Sequence, residues 1–361
     1  MMQNLIDEDK KLIELAGISF DEDRSGSFFQ KDSQIELLKS IYPGLEILDT
    51  DTALREIPEL KEYYYKALEE TGKEYDKDTK GGYFIRIGKN VKIDMPIQAC
   101  LFLKAQGFRQ KVHNIIILEE GAEGTLITGC VASKSASESI HVGISEFFIG
   151  KNAKLNFTMI HSWNRDTVVR PITAAIVEEN GTFTSNYICL KNVKDVSMYP
   201  CAILKEKNAR AFFSSLILCH PESSFDIGSK TLLRAEGTKS EIVARVASLG
   251  GRVIARGNLT AESNKVSGHL ECKGLLLSDG GMIRAIPEIE TRFKDVELSH
   301  EAAIGKIKKE EIEYLQSRGF NGEKARGLIV RGFIDPEILN LPDSIKEQIR
   351  DLEDKMLEGI I

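Results

Sequence analysis

The hydrophobic pattern divides the chain into three textures. In the first 80 residues, Leu5, Ile6, Leu12, Ile13 and Leu15 recur at helical spacing. Ile35, Leu37 and Leu38 predict a second helix, and a third runs from about Ala53 to Leu68 with Tyr63-Tyr64-Tyr65 inside it. The charged stretch Asp76-Lys77-Asp78-Thr79-Lys80 ends in Gly81-Gly82 and reads as a boundary. Beyond it, short β-branched and aromatic runs alternate with small polar turns. The turns Asn152-Ala153, Asn180-Gly181, Asn208-Ala209, Glu236-Gly237 and Asn264-Lys265 begin 28 residues apart; Gly121-Ala122 and Asn90-Val91 precede them at intervals of 31. Each turn lies between two strand-like runs, such as Val142–Ile149 and Leu155–Ile160. A fixed period with strands in every repeat predicts a β-solenoid, one coil per repeat and each strand stacked on its counterpart. Gly and Asn suit the turns because both tolerate positive φ. Asn-Gly turns also serve antiparallel hairpins, so a sandwich is the competing reading; the constant spacing favours the solenoid.

From about Pro287 the pattern reads as helical again. Lys309–Arg318, ended by Gly319, and Gly322–Val330 predict two helices; Asp335-Pro336 opens a further segment, and Ile345–Leu357 closes the chain with Ile345, Ile349, Leu352 and Met356. The expected organisation is therefore a helical region over 1–82, a β core over 83–286 and a helical region over 287–361, which covers the apolar surface that a last coil exposes.

Composition narrows the function. With 361 residues, 42% apolar and 29% charged, the chain has an ordinary soluble balance. A net charge of −7 and a pI near 5.6 argue against nucleic acid. No apolar run approaches the roughly 20 residues needed to span a bilayer. The acidic start, Asp7-Glu8-Asp9, lacks a signal-peptide core, so a cytoplasmic protein without membrane partners is expected. Cys100, Cys130, Cys189, Cys201, Cys219 and Cys272 include no Cys-x-x-Cys pair. A metal site has to be assembled from distant segments, and the plain alternative for each cysteine is a small core hydrophobe. There is no Gly-x-x-x-x-Gly-Lys-Ser/Thr phosphate loop and no Gly-x-Ser-x-Gly; Gly250-Gly251 and Gly280-Gly281 are turn glycines.

Chemistry-bearing residues concentrate between His269 and Phe333. The stretch carries Gly268-His269-Leu270-Glu271-Cys272, Ile286-Pro287-Glu288-Ile289, Glu297-Leu298-Ser299-His300-Glu301-Ala302 and Tyr314-Leu315-Gln316-Ser317-Arg318-Gly319. Cysteine, histidine and carboxylate are iron and zinc ligand types. This block resembles the core of the SufB/SufD family of iron–sulfur cluster assembly scaffolds. Tyr83–Gln98, Ile116–Ala122, Gly129-Cys130, Val142–Glu146, Tyr199–Leu204 and Asp226–Thr231 extend the resemblance in order over about residues 83–335. The resemblance implies a right-handed parallel β-helix with helical ends, and a C-terminal helical region that docks a SufC-type ABC ATPase. It implies a transient iron–sulfur cluster held near the interface of a homodimer or a SufB/SufD-type heterodimer. The scaffold itself is not an enzyme on this reading.

In bacterial members the site uses a cysteine after a Gly-Asp or Ser-Asp turn together with residues of a His-Glu-Ala motif. The second element is present as His300-Glu301-Ala302, but aligning back from Pro287 puts Gly281 at the cysteine position. The chain is archaeal-like or SufD-like there. Cys272, nine residues earlier, is the substitute ligand, and Cys219, two coils away and roughly 10 Å distant on a ~4.8 Å strand spacing, is the second thiol considered. His300 and Glu301 are expected as metal ligands or as groups orienting them. Cys130 has a family counterpart, with sulfur uptake and plain packing both open; His269 is a weaker candidate and Trp163 a packing residue. The alternative functions are a SufD-like structural partner without the main sulfur ligands, and an unrelated solenoid enzyme, for which no convincing pair of catalytic acids is found. Four cysteines between 189 and 272 favour the scaffold.

Overall fold

The computed structural model describes residues 5–20, 24–72, 77–334, 346–347 and 350. Two parallel sheets face each other, and the chain passes from one to the other in every coil. The first sheet stacks Ile97–Leu103, Glu123–Ala132, Lys154–Ser162, Thr182–Cys189, Arg210–Cys219, Lys239–Ser248, Val266–Leu276 and Val296–Lys306. The second stacks Tyr83–Ile87, Arg109–Leu118, Ile140–Ile149, Ile172–Val177, Cys201–Leu204, Ser224–Leu233, Arg252–Ala261 and Met282–Thr291. This is the expected β-helix, with eight coils among the described residues. Alternate side chains of both sheets meet in the lumen, where Phe147 packs against Phe157 and Phe183 with ring centroids 4.8 and 4.9 Å apart.

The repeating turns close each coil by a left-handed residue. Asn90, Asn152, Asn180 and Asn208 have φ of 58°, 58°, 56° and 59°. Their side chains stack: Asn180 Nδ2 donates to Asn152 Oδ1 at 3.2 Å and Asn208 Nδ2 to Asn180 Oδ1 at 3.1 Å. Glycine occupies the left-handed position at 121 and 237, where a Cβ would fall 2.4 Å from Asn90 Oδ1 and 2.2 Å from Asn208 Oδ1. Two turns bend one residue later than the sequence reading places them, at Gly237 and Lys265. The residues before the first six bends, Lys89, Glu120, Lys151, Glu179, Lys207 and Glu236, alternate in charge, and Lys89–Glu120, Lys151–Glu179 and Lys265–Glu236 pair between coils at 2.6, 2.6 and 2.5 Å.

Helices cover the outer faces. The helices are α1 (Asp7–Glu14), α2 (Thr50–Glu56), α3 (Lys66–Glu69), α4 (Lys309–Ser317) and α5 (Gly322–Phe333). Ile13, Ala16 and Ile18, in and just after α1, and Val330 and Ile334, in and just after α5, pack on the outer face of the first sheet. The segment from Ala53 to Leu68 packs on the second sheet. Glu146 fastens that segment: its carboxylate accepts Tyr65 N at 2.6 Å, Ala67 N at 2.8 Å, Leu68 N at 3.1 Å and His113 Nε2 at 2.7 Å, with all of it buried.

Two helical expectations are corrected. Ile35, Leu37 and Leu38 lie in a strand, Gln34–Ser40, that pairs antiparallel with Gly26–Lys31 through a turn at Asp32, φ 51°. That turn ties both strands to the first coil, so tertiary pairing overrides the local helical spacing. The change from strand to helix comes not at Pro287 but after Lys306. Pro287 sits in the edge strand of the second sheet, paired on one side only, where a missing N–H is tolerated. The segments at Asp335-Pro336 and Ile345–Leu357 lie outside the described residues, apart from three isolated positions.

Candidate functional site at the open end of the solenoid

Among the described residues nothing covers the last coil. Val296–Lys306 and Met282–Thr291 are the terminal strands of the two sheets, and their residues are largely exposed on both faces. Strand alternation sorts the candidate ligands between those faces. Cys272 points into the lumen with Ala244 and Leu270, in register between Ala244 and Ala302. His300 pairs with Leu270 and therefore shares the lumenal face, one strand over and two residues along, roughly 8 Å from Cys272 between Cα atoms. Glu301 pairs with Glu271 on the opposite, outer face. His300-Glu301 was expected at the start of a helical cap; it lies in a strand, and the two side chains serve different sides of it.

Cys272 is 4% exposed, with the small Ala302 in register beyond it on the last described strand. Burial, aided by nearby Glu271, pushes its thiol up to about 11. A metal or cluster on Cys272 has to displace a firmly held proton. Cys219 does not join it. Following the register, Cys272 lies opposite Ala244 and then Ser215, four residues from Cys219, so the two are roughly 16 Å apart rather than 10. Cys219 is fully buried, its Sγ 3.6–3.8 Å from the carbonyls of His220, Ser223 and Arg252, and burial pushes its thiol up to about 12.

The lumen also aligns a second set of groups. Cys130, His161 and Cys189, each nine residues after its turn, stand in one inward-facing row on adjacent strands. The Tyr187 hydroxyl lies 3.0 Å from His161 Nδ1, and His161 Nε2 finds no partner among the described residues. Burial drives His161 well below its ordinary range and pushes the Cys189 thiol up to about 12. Trp163 packs between His141 and His161, with ring centroids 5.1 Å from each. Cys201 faces outward from the second sheet, under the N-terminal segment.

Gly281, the position that the resemblance pairs with a bacterial cysteine, lies close against Ser248. A Cβ there would fall 2.6 Å from Ser248 Oγ, which donates to Gly251 O at 2.9 Å. A side chain at 281 requires Ser248 to shift. His269 and Glu271 gain importance instead, because a ring nitrogen of His269 and a carboxylate oxygen each of Glu271 and Glu301 lie within 4.8 Å of one another. The sequence signal for this was the His-x-Glu spacing, which puts both side chains on one face of a strand.

The family model described as "SUF system FeS cluster assembly, SufBD core domain" matches residues 101–333. This chain belongs to the SufBD family. It is 46% identical over 347 residues to an iron–sulfur cluster assembly SufBD family protein of Archaeoglobus fulgidus, covering 95% of this chain and 93% of that one. A SufBD family protein of Methanothermobacter thermautotrophicus is 38% identical, with 94% and 85% covered. One of Staphylococcus haemolyticus is 29% identical, with 96% and 75% covered. SufBD membership gives the chain a role in iron–sulfur cluster assembly. Among the described residues no helix is long and apolar enough to cross a membrane.

Proposed function

We propose that this SufBD protein is a scaffold that holds a nascent iron–sulfur cluster at the open end of its solenoid, between two subunits, and works with a SufC-type ATPase. The observation that carries this is the position of Cys272: the lumenal thiol nearest the open end among the described residues, one coil beneath it, with His300 beside it on the same face. Two thiolates and two imidazoles from facing subunits supply the four soft or borderline ligands that a small cluster takes. The exposed edge strands favour a second solenoid end as the covering surface, because unpaired edges invite pairing. Glu301 lies on the outer face and does not share the lumenal set. Cys219 is too distant and too enclosed to belong to it.

The α4–α5 hairpin suits the ATPase. No residue of α4 is buried, Tyr314 is 59% exposed, and Glu310, Glu311, Tyr314, Leu315 and Ile329 line a shallow cavity of about 480 Å³ between the two helices. The second reading, a SufD-like structural subunit, draws support from Gly281 and from the protonated state that burial imposes on Cys272. Anaerobic reconstitution with ferrous iron and sulfide separates the two. A scaffold retains iron and sulfide after desalting and loses them in Cys272→Ser; a structural subunit retains none in either form.

A further inference from the structure

On the outer face of the two terminal strands of the first sheet, a second set of ligand groups converges. His269 and Glu271 stand two residues apart on Val266–Leu276 and share its outer side. Glu301 lies directly opposite Glu271 on the neighbouring strand, and Ser299 directly opposite His269. The Ser299 hydroxyl holds His269 Nδ1 at 2.8 Å, which fixes the ring, as partners behind metal-binding imidazoles do. One ligand atom from each of His269, Glu271 and Glu301 falls within 4.8 Å of the others.

Like charges directly opposite on adjacent strands repel, so the Glu271–Glu301 pair needs a cation. In this structure an ammonium takes that place: Lys273 Nζ is 2.7 Å from Glu271 Oε2 and 3.9 Å from Glu301 Oε1. Arg245 holds the other Glu271 oxygen at 2.8 Å. Lys273 is partly exposed and sits on a flexible stem, so it can leave for water, whereas the guanidinium stays. We propose that His269, Glu271 and Glu301 form a binding site for a divalent first-row cation of the ferrous type, and that Lys273 is its built-in competitor. One imidazole and two carboxylates suit such a metal and not a thiophilic one such as Cu(I). Ligand atoms about 2.1 Å from a shared ion lie roughly 3–4 Å apart, a small side-chain adjustment from the present arrangement. On the scaffold reading above, iron bound here sits one strand's thickness from lumenal His300; the binding site itself does not depend on that reading.

The test is a titration of the cluster-free full chain with Co²⁺ under anaerobic conditions, followed by its visible d–d absorption. One Co²⁺ per chain is expected, with His269→Ala and Glu301→Gln weakening it at least about tenfold. Lys273→Met is expected to tighten binding, and Cys272→Ser to leave it unchanged. Thermal melts of the variants check that the solenoid is intact. Absence of saturable binding overturns the proposal. So does binding that survives His269→Ala, binding that weakens in Lys273→Met, or a thiolate-to-cobalt charge-transfer band that disappears in Cys272→Ser and so places the ion in the lumen.

Discussion

The buried thiols make the protein fragile at alkaline pH, and Cys272 allows the effect to be sized. Its thiol is raised from 9.0 to about 11 in the folded chain, chiefly by burial. A raised folded value means that the native state holds the proton more tightly than the unfolded chain. The stabilisation is therefore complete below about pH 9 and is lost as pH climbs towards 11. Two units correspond to about 2.7 kcal/mol in all, of which about 2 kcal/mol has gone by pH 10.5. Cys272→Ala removes this titration at the cost of a small cavity. The assay is urea unfolding of both proteins at pH 7.5 and 10.5. At pH 7.5 the wild type is the more stable; at pH 10.5 its advantage shrinks or reverses by about 2 kcal/mol. Cys219 and Cys189, raised to about 12, lose their share higher still. If the gap between the two proteins is the same at both pH values, Cys272 is not a buried, protonated thiol, and its placement in the lumen is wrong.

Other expectations follow from single contacts. Asn180→Ala forfeits two ladder hydrogen bonds and forces a Cβ-bearing residue without a stabilising amide into the left-handed region, costing about 1–3 kcal/mol, whereas Asn180→Gly costs about 1 kcal/mol less; equal melting temperatures for the two contradict this. Glu146→Ala strands three buried N–H groups and an imidazole and destabilises the chain by about 3 kcal/mol or more, and limited proteolysis then cuts within residues 50–72 first. Protection equal to wild type counts against Glu146 as the fastening point. Truncation after Lys308 leaves eight coils intact by circular dichroism and abolishes co-purification of the ATPase; retained co-purification moves the docking surface elsewhere.

Much of this fold was legible because a solenoid repeats its signal. One such turn says little, but seven at near-constant intervals, five of them opened by Asn, fix the coil. The nine-residue offset that His161 and Cys189 share from their turns left open a single line or alternating faces; the strand register settles it and adds Cys130 to the row. What escaped was register at a distance. Counting coils gave Cys219 and Cys272 a lateral spacing only, and the four-residue offset along the strand, which separates them, is set by where each turn bends. The last coil escaped for a different reason. Its strands carry Ala302-Ala303, glycine, proline and many charges, because they form an exposed edge rather than a core, so their apolar pattern fades where a helix was then inferred. Ile35, Leu37 and Leu38 mislead for the same reason: an edge strand half in solvent has no clean period. The outer cluster of His269, Glu271 and Glu301 depends on two strands being in register, a pairing that sequence spacing alone does not contain.

The central claim is that Cys272, at the open end, carries a cluster in a working assembly. The most direct measurement is the absorption spectrum, with iron and sulfide content, of the chain co-expressed with its ATPase and purified under strict anaerobiosis, for wild type and Cys272→Ser. The account predicts a brown wild-type complex with iron and sulfide in stoichiometric amounts, and a colourless Cys272→Ser complex that still holds the ATPase. A colourless wild type that binds the ATPase and cannot be reconstituted contradicts it and makes the chain the structural partner.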